Sequence, residues 1–190
     1  MKKQLRLATA FASFALVYCV VVAPAQNLKV DSQQPQKLVS TKSTTTLQKE
    51  LDQAGALGFH VLAATTRGDG EVVLLLERDL NAPQQLQVKV IATGATGTFQ
   101  KEISDAGRQG FRAAPNTFLN KPSGVLVGPE IFVVMERPVN TTKRYEYKLL
   151  ATNQTSTVES EWRVATTERY KVVGMMTRSE VMVLMEREAR

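Results

Sequence analysis

The sequence predicts an α+β fold of three tandem β-α-β-β repeats, each a three-stranded sheet with one helix, with the sheets packed together. Three observations predict it. Residues 37–59, 89–111 and 148–170 align without a gap over 23 positions. Within each block a period-2 strand pattern gives way to a helical apolar stripe. Each copy then closes on an apolar run ending in Glu-Arg, at Val72–Arg78, Ile131–Arg137 and Val181–Arg187. Self-similarity of this kind marks a duplicated supersecondary unit.

The first strand of a copy is clearest in Leu86–Ile91 and Tyr145–Leu150, where apolar and polar residues alternate. A Thr/Ser/Gly cluster follows and opens a helix. Thr45-x-x-Gln48 and Ser156-x-x-Glu159 fit the capping box, with Gly97 at the corresponding place in the middle copy. Leu47, Leu51 and Ala54 recur at helical spacing, as do Phe99, Ile103 and Ala106, and Val158, Trp162 and Ala165. Gly58 and Gly110 stop the helix where a left-handed residue is wanted, a place that Arg169 fills less cheaply in the third copy. Second strands are expected at Phe59–Thr66, Phe111–Phe118 and Tyr170–Thr177. The closing strand is apolar at both parities, so it belongs in the middle of its sheet with both faces buried. A unit of this size has no second layer for the face away from its helix. The copies must therefore cover one another.

These signals divide the chain into a signal peptide at 1–25, a flexible N-terminus at 26–34, and repeats at 35–80, 84–138 and 143–190. The leader has a basic start, an apolar run from Leu7 to Val22 and the small residues Ala23-Pro24-Ala25. It implies export to a bacterial periplasm or beyond, with retention as an anchor as the alternative and no membrane span once it is cleaved. Cys19, the one cysteine, falls inside it after Tyr18, where a lipobox wants a small residue. The exported protein then has no thiol and no disulfide to form.

The 24 Lys+Arg and 18 Asp+Glu give a net charge of +6. Lys2, Lys3 and Arg6 leave with the leader, so the remainder carries +3, too thin for a nucleic-acid binder. Nucleophilic catalysis needs an activated Ser, Cys or Thr beside a base. The single histidine, His60, aligns with Arg112 and Lys171, which favours a solvated position over a catalytic one. No metal site is expected, because His and Cys ligands are missing. Glu50, Glu102 and Glu161 could meet only about a threefold axis, and their spacing suits solvated helix flanks. The Glu-Arg strand ends read as solvated charges. Gly94–Thr98 lacks the tail of a phosphate-binding loop and reads as a helix start. No cofactor is expected.

Tyr145-Glu146-Tyr147-Lys148, the Leu-bearing helix, Gly58-Phe59 and Gly110-Phe111, and the apolar closing strand resemble a small bacterial domain family of unknown function. Its pattern is Tyr-x-Tyr-Lys, a Leu-rich helix, Gly-Trp-Glu-Leu-Val and an apolar strand ending in a basic residue. The resemblance runs through all three copies. No copy has Trp after the Gly, and the first lacks both tyrosines. The resemblance implies the fold and brings no activity.

Together these readings describe an exported, non-enzymatic binding or envelope-assembly module with a protein or envelope partner, and a homo-oligomer is possible. The binding residues expected are Lys121, Pro122, Ser123 and Gly124, in the insert Asn120–Pro129 unique to the middle copy, because binding gathers on loops held by a scaffold. The alternative is a small-molecule-binding or catalytic protein with a pocket between the sheets, its polar groups drawn from Tyr145, Tyr147, Lys37, Lys89 and Lys148.

Overall fold

The structure, a computed structural model, describes residues 34–123 and 128–190. The leader and residues 26–33 lie outside the described residues, as does Gly124 of the insert. Repeat 1 comprises β1 (Gln36–Thr41), α1 (Thr44–Ala56), β2 (His60–Thr66) and β3 (Val72–Glu77). Repeat 2 comprises β4 (Leu86–Thr93), α2 (Thr96–Arg108), β5 (Arg112–Ala113), β6 (Leu119–Lys121) and β7 (Glu130–Pro138). Repeat 3 comprises β8 (Tyr145–Thr152), α3 (Thr155–Thr167), β9 (Lys171–Thr177) and β10 (Val181–Glu188).

The strand orders β1-β3-β2, β4-β7-β5 and β8-β10-β9 place the doubly apolar closing strand in the centre each time. All pairings are antiparallel and the registers repeat: Val39 faces Leu74, Ile91 faces Val133 and Leu150 faces Val183. The middle sheet gains a fourth strand. Its second strand, expected to run unbroken to Phe118, leaves the sheet after Ala113 and returns as β6. Ala114 still donates to Val134 O at 2.9 Å, but Pro115 has no N–H for the ladder, Asn116 takes a positive φ of 54°, and the Val134 N–H is met by the Thr117 hydroxyl. The first part of the insert is therefore strand.

The helix starts differ from the expected capping boxes. Ser43 caps α1 by accepting from Thr46 N at 3.2 Å, and α2 and α3 begin after Ala95 and Gln154 without a side-chain cap. Gln48 is free for another task. The helix ends follow expectation, with φ of +83° at Gly58, +90° at Gly110 and +69° at Arg169. A left-handed conformation costs a residue with a Cβ about 1–2 kcal/mol, so the third copy holds this turn under strain.

The terminal arginines are not solvated strand ends. Arg78, Arg137 and Arg187 stack over Phe59, Phe111 and Tyr170 at 4.7, 4.8 and 4.5 Å. Each also donates to the carbonyl of its helix C-cap, at Leu57, Gln109 and Glu168. Helix ends leave carbonyls without intrahelical partners, and a guanidinium can bond one while its face meets a ring. This pairing accounts for an aromatic after each helix and an Arg at each closing strand.

In each sheet one face, the front, carries the repeat's own helix. The back of sheet 2, with Phe132 and Val134, packs into the core of repeat 1 against Val61, Leu74 and Leu76. The back of sheet 3, with Met182 and Leu184, packs likewise into the core of repeat 2. The siblings thus cover the backs of sheets 2 and 3 in a stack, and not around a threefold axis. Contrary to expectation the back of sheet 1 gains no such cover among the described residues, and Val73 and Leu75 of β3 stay half-buried.

Two residues of α1 and two of α2 make the junctions. Gln48 of α1 donates through Nε2 to Val88 O at 2.9 Å and accepts from Val90 N at 2.7 Å, satisfying the open edge of β4. Gln100 of α2 does the same to Tyr147 O and Leu149 N, at 3.0 and 2.7 Å. Seven residues on, Gly55 lets the strand approach, since a Cβ there would meet Leu86 O at 2.7 Å. Gly107 performs the same service against Tyr145 O. In α3 these two positions are Glu159 and Thr166. Glu159 pairs within its own helix to Arg163 at 2.7 Å, and the Thr166 side chain would occupy the space a further strand needs. The stack accordingly ends here, leaving Trp162 41% and Met175 69% exposed. At the other end Leu38 is 64% exposed, where its counterparts Val90 and Leu149 are packed.

Candidate functional site

Stacking places equivalent residues in columns. The first residue of each second strand gives His60, Arg112 and Lys171, and the penultimate residue of each closing run gives Glu77, Glu136 and Glu186. His60, Arg112 and Lys171, with Glu136 and Glu186 but not Glu77, line a groove of about 700 Å³ that crosses both junctions, walled by Leu86, Ala114, Pro115 and Pro138. An adjoining cleft of about 650 Å³ shares Arg112, Tyr145, Lys171 and Glu186 with it.

At the second junction the polar groups are consumed by one another. Glu186 is 7% exposed. Its Oε1 takes Arg112 Nε and Nη2, both at 2.7 Å, and its Oε2 accepts the Tyr147 hydroxyl at 3.1 Å. The same hydroxyl oxygen accepts Ala113 N at 2.8 Å. Burial, with the Glu186 charge beside it, pushes the Tyr147 phenol well above its usual range.

The first junction has the same frame and fewer partners. Val61, the counterpart of Ala113, donates its N–H to Glu136 Oε1 at 2.7 Å. Where the second junction has Tyr147 the first has Val88, and where it has Arg112 the first has His60. Among the described residues no cation lies within ion-pair distance of Glu136. Burial pushes its carboxyl up from 4.5 to about 7, against the lowering effect of the Val61 N–H.

The residues expected to bind are placed as follows. Lys121 is 6% exposed in β6 and paired with Glu130 at 2.8 Å. Pro122 lies against Gly70 of repeat 1, and Ser123 bonds Gly128 O. Asn120 reaches Thr177 O at 3.2 Å while its carbonyl accepts the Thr66 hydroxyl at 3.2 Å. The described part of the insert therefore ties repeats 1 and 3 to repeat 2. Of the alternative's polar groups only Tyr145 lines the groove. Tyr147 is buried in the junction, and Lys89 and Lys148 lie over Phe111 and Tyr170 at 5.0 and 4.9 Å, each beside its own helix end. Glu50 is half-buried, Glu102 and Glu161 are exposed, and among the described residues no three acidic, histidine or cysteine side chains group as metal ligands.

Glu136 and Arg112 are the site residues missed by sequence reasoning. The signal lay in the alignment of the copies: the column His60, Arg112, Lys171 changes its chemistry while the carboxylate column facing it does not. No protein-family model, curated protein or solved structure matches the chain.

Proposed function

We propose that the protein is an exported, non-enzymatic binding module whose contact surface is the groove across the two junctions. The observation that carries this reading is that the groove exists only in the assembled stack and draws side chains from all three repeats. A duplicated scaffold then has a purpose that one copy cannot serve. The commitment of Tyr147, Glu186 and Arg112 to one another supports a binding role over acid–base chemistry, because their bonds are spent on structure. The insert serves that role by holding the repeats in register.

Thermal-shift screening of the protein against a broad metabolite set tests the proposal. A ligand at a hundredfold excess over its Kd stabilises by about 2.7 kcal/mol, and its shift should shrink or vanish in a Glu136→Gln, Lys171→Gln double variant that removes two charges lining the groove. An absence of shifts across the set, or hits indifferent to the groove variant, counts against it. Intact-mass measurement of the exported chain tests the leader, with loss of residues 1–25 expected.

A further inference from the structure

We infer that the groove at the first junction binds a small organic cation, with an ammonium or guanidinium group seated on Glu136 and an alkyl portion along the apolar wall. The inference rests on the groove being the binding surface and adds the class of ligand.

The two junctions differ at this carboxylate. Glu186 shows what this fold does with a carboxylate at that position when the chain itself compensates it: a guanidinium fork at 2.7 Å and a phenol at 3.1 Å close it off at 7% exposure. Glu136 occupies the same position on the same strand type, and its partners have been replaced by His60 and Val88. One backbone N–H at 2.7 Å remains. A half-buried carboxylate with one hydrogen bond and no counter-charge is costly to ionise. Unlike Glu186, Glu136 stays partly open to the groove. Arg112 stands opposite Glu136 in the register of β5 and β7, but its guanidinium is held by Glu186, so an exogenous cation would supply to Glu136 what Arg112 supplies to Glu186. Leu86, Ala114, Pro115 and Pro138 beside it offer an apolar track for the carbon chain of such a ligand.

The charged and titratable groups around this groove are His60 on β2, Asp79 after β3, Arg112 on β5, Tyr145 on β8, Lys171 on β9 and Glu186 on β10. Arg112 and Glu186 neutralise each other. The ionised form of Glu136 is the one that holds a cation, and burial favours its neutral form at mildly acid pH. Binding should therefore be strong at pH 8 and more than tenfold weaker at pH 5.5.

The test is isothermal titration of the full protein with agmatine, putrescine and spermidine, and with citrate and glucose as anionic and neutral probes. At least one amine is expected to bind at pH 8, at least tenfold more weakly to Glu136→Gln, with the pH dependence retained in His60→Asn and lost in Glu136→Gln. Denaturant melts of Glu136→Gln check that it is folded. Citrate binding that disappears in Lys171→Gln, with no amine binding, overturns the cation and leaves the binding module standing. No binding by any of the amines to a folded wild type overturns the cation inference, and an empty metabolite screen with it overturns the module as well. Amine binding equal in wild type and Glu136→Gln overturns the assignment to Glu136.

Discussion

At the first junction a carboxylate meets a single backbone N–H; at the second its counterpart meets an arginine fork and a phenol. The frame around them is otherwise shared. A glutamine amide seals the edge of the next first strand in both, and a glycine in the same helix lets that strand come close. The difference shows that duplicated geometry does not mean duplicated electrostatics. One junction is closed by its own charges, and the other keeps a proton-sensitive group facing a groove.

The largest effects should come from emptying the shared apolar layer. Phe132→Ala at the first junction and Leu184→Ala at the second each remove a side chain with no exposure. Losses of about 3–5 and 2–5 kcal/mol are expected, read as lower denaturant midpoints at unchanged slope. A much smaller loss at either site would mean that the sheets do not depend on each other there.

Replacing Gln48 or Gln100 by Leu strands two backbone groups at a strand edge. Each change should destabilise by about 1–3 kcal/mol. Equal effects at the two positions would confirm one sealing device used twice. A neutral Gln48→Leu would show that water seals the β4 edge as well as the amide does.

Glu136→Gln separates the junctions by pH. The folded protein holds the proton up to about 7, and the reference carboxyl releases it near 4.5. Between those values the folded state binds more protons than the unfolded state, so stability falls as pH rises. The penalty is absent below about 4.5 and complete above about 7. The variant should therefore match wild type at pH 4.5 and exceed it at pH 8 by roughly 1–3 kcal/mol, in urea melts without added amine. A wild type that gains stability from pH 5 to 8 relative to the variant would contradict the uncompensated carboxylate.

The smallest effect concerns the helix ends. Arg169→Gly gives the third copy the residue the first two already use at this turn. Relief of the left-handed strain, partly offset by the looser unfolded chain, should stabilise by roughly 0.5–1 kcal/mol. A loss of stability would assign Arg169 a contact worth more than its strain.

Much of the fold was legible because it follows from periodicity. The apolar character of Val72–Leu76 and Val181–Met185 at both parities required a central strand in each. The cover it also called for is found over both faces of β10, while Val73 and Leu75 of β3 stay half-buried because no repeat precedes the first in the stack. The glycine at the helix end was legible because it is a local backbone matter. Gln48 was misread, since Thr45 to Gln48 has the spacing of a capping box while its actual partners lie at Val88 and Val90. The terminal arginines were misread for the same reason: what distinguishes a freely solvated charge from an engaged one is the ring and the carbonyl brought to it. The insert has a loop-like composition, yet Lys121 and Asn120 are strand residues because β7 extends far enough to pair with them.

The amino-acid order alone settled the three copies, their strands and helices, and the demand that apolar backs be hidden, because those depend on short-range pattern and on the free energy of removing carbon from water. Which glutamate keeps its charge compensated, and which is left open to a groove, was decided only when the sheets were stacked. The arginine that meets Glu186 and the N–H that meets Glu136 each come from the preceding repeat, and distance along the chain carries no information about who meets whom across a junction.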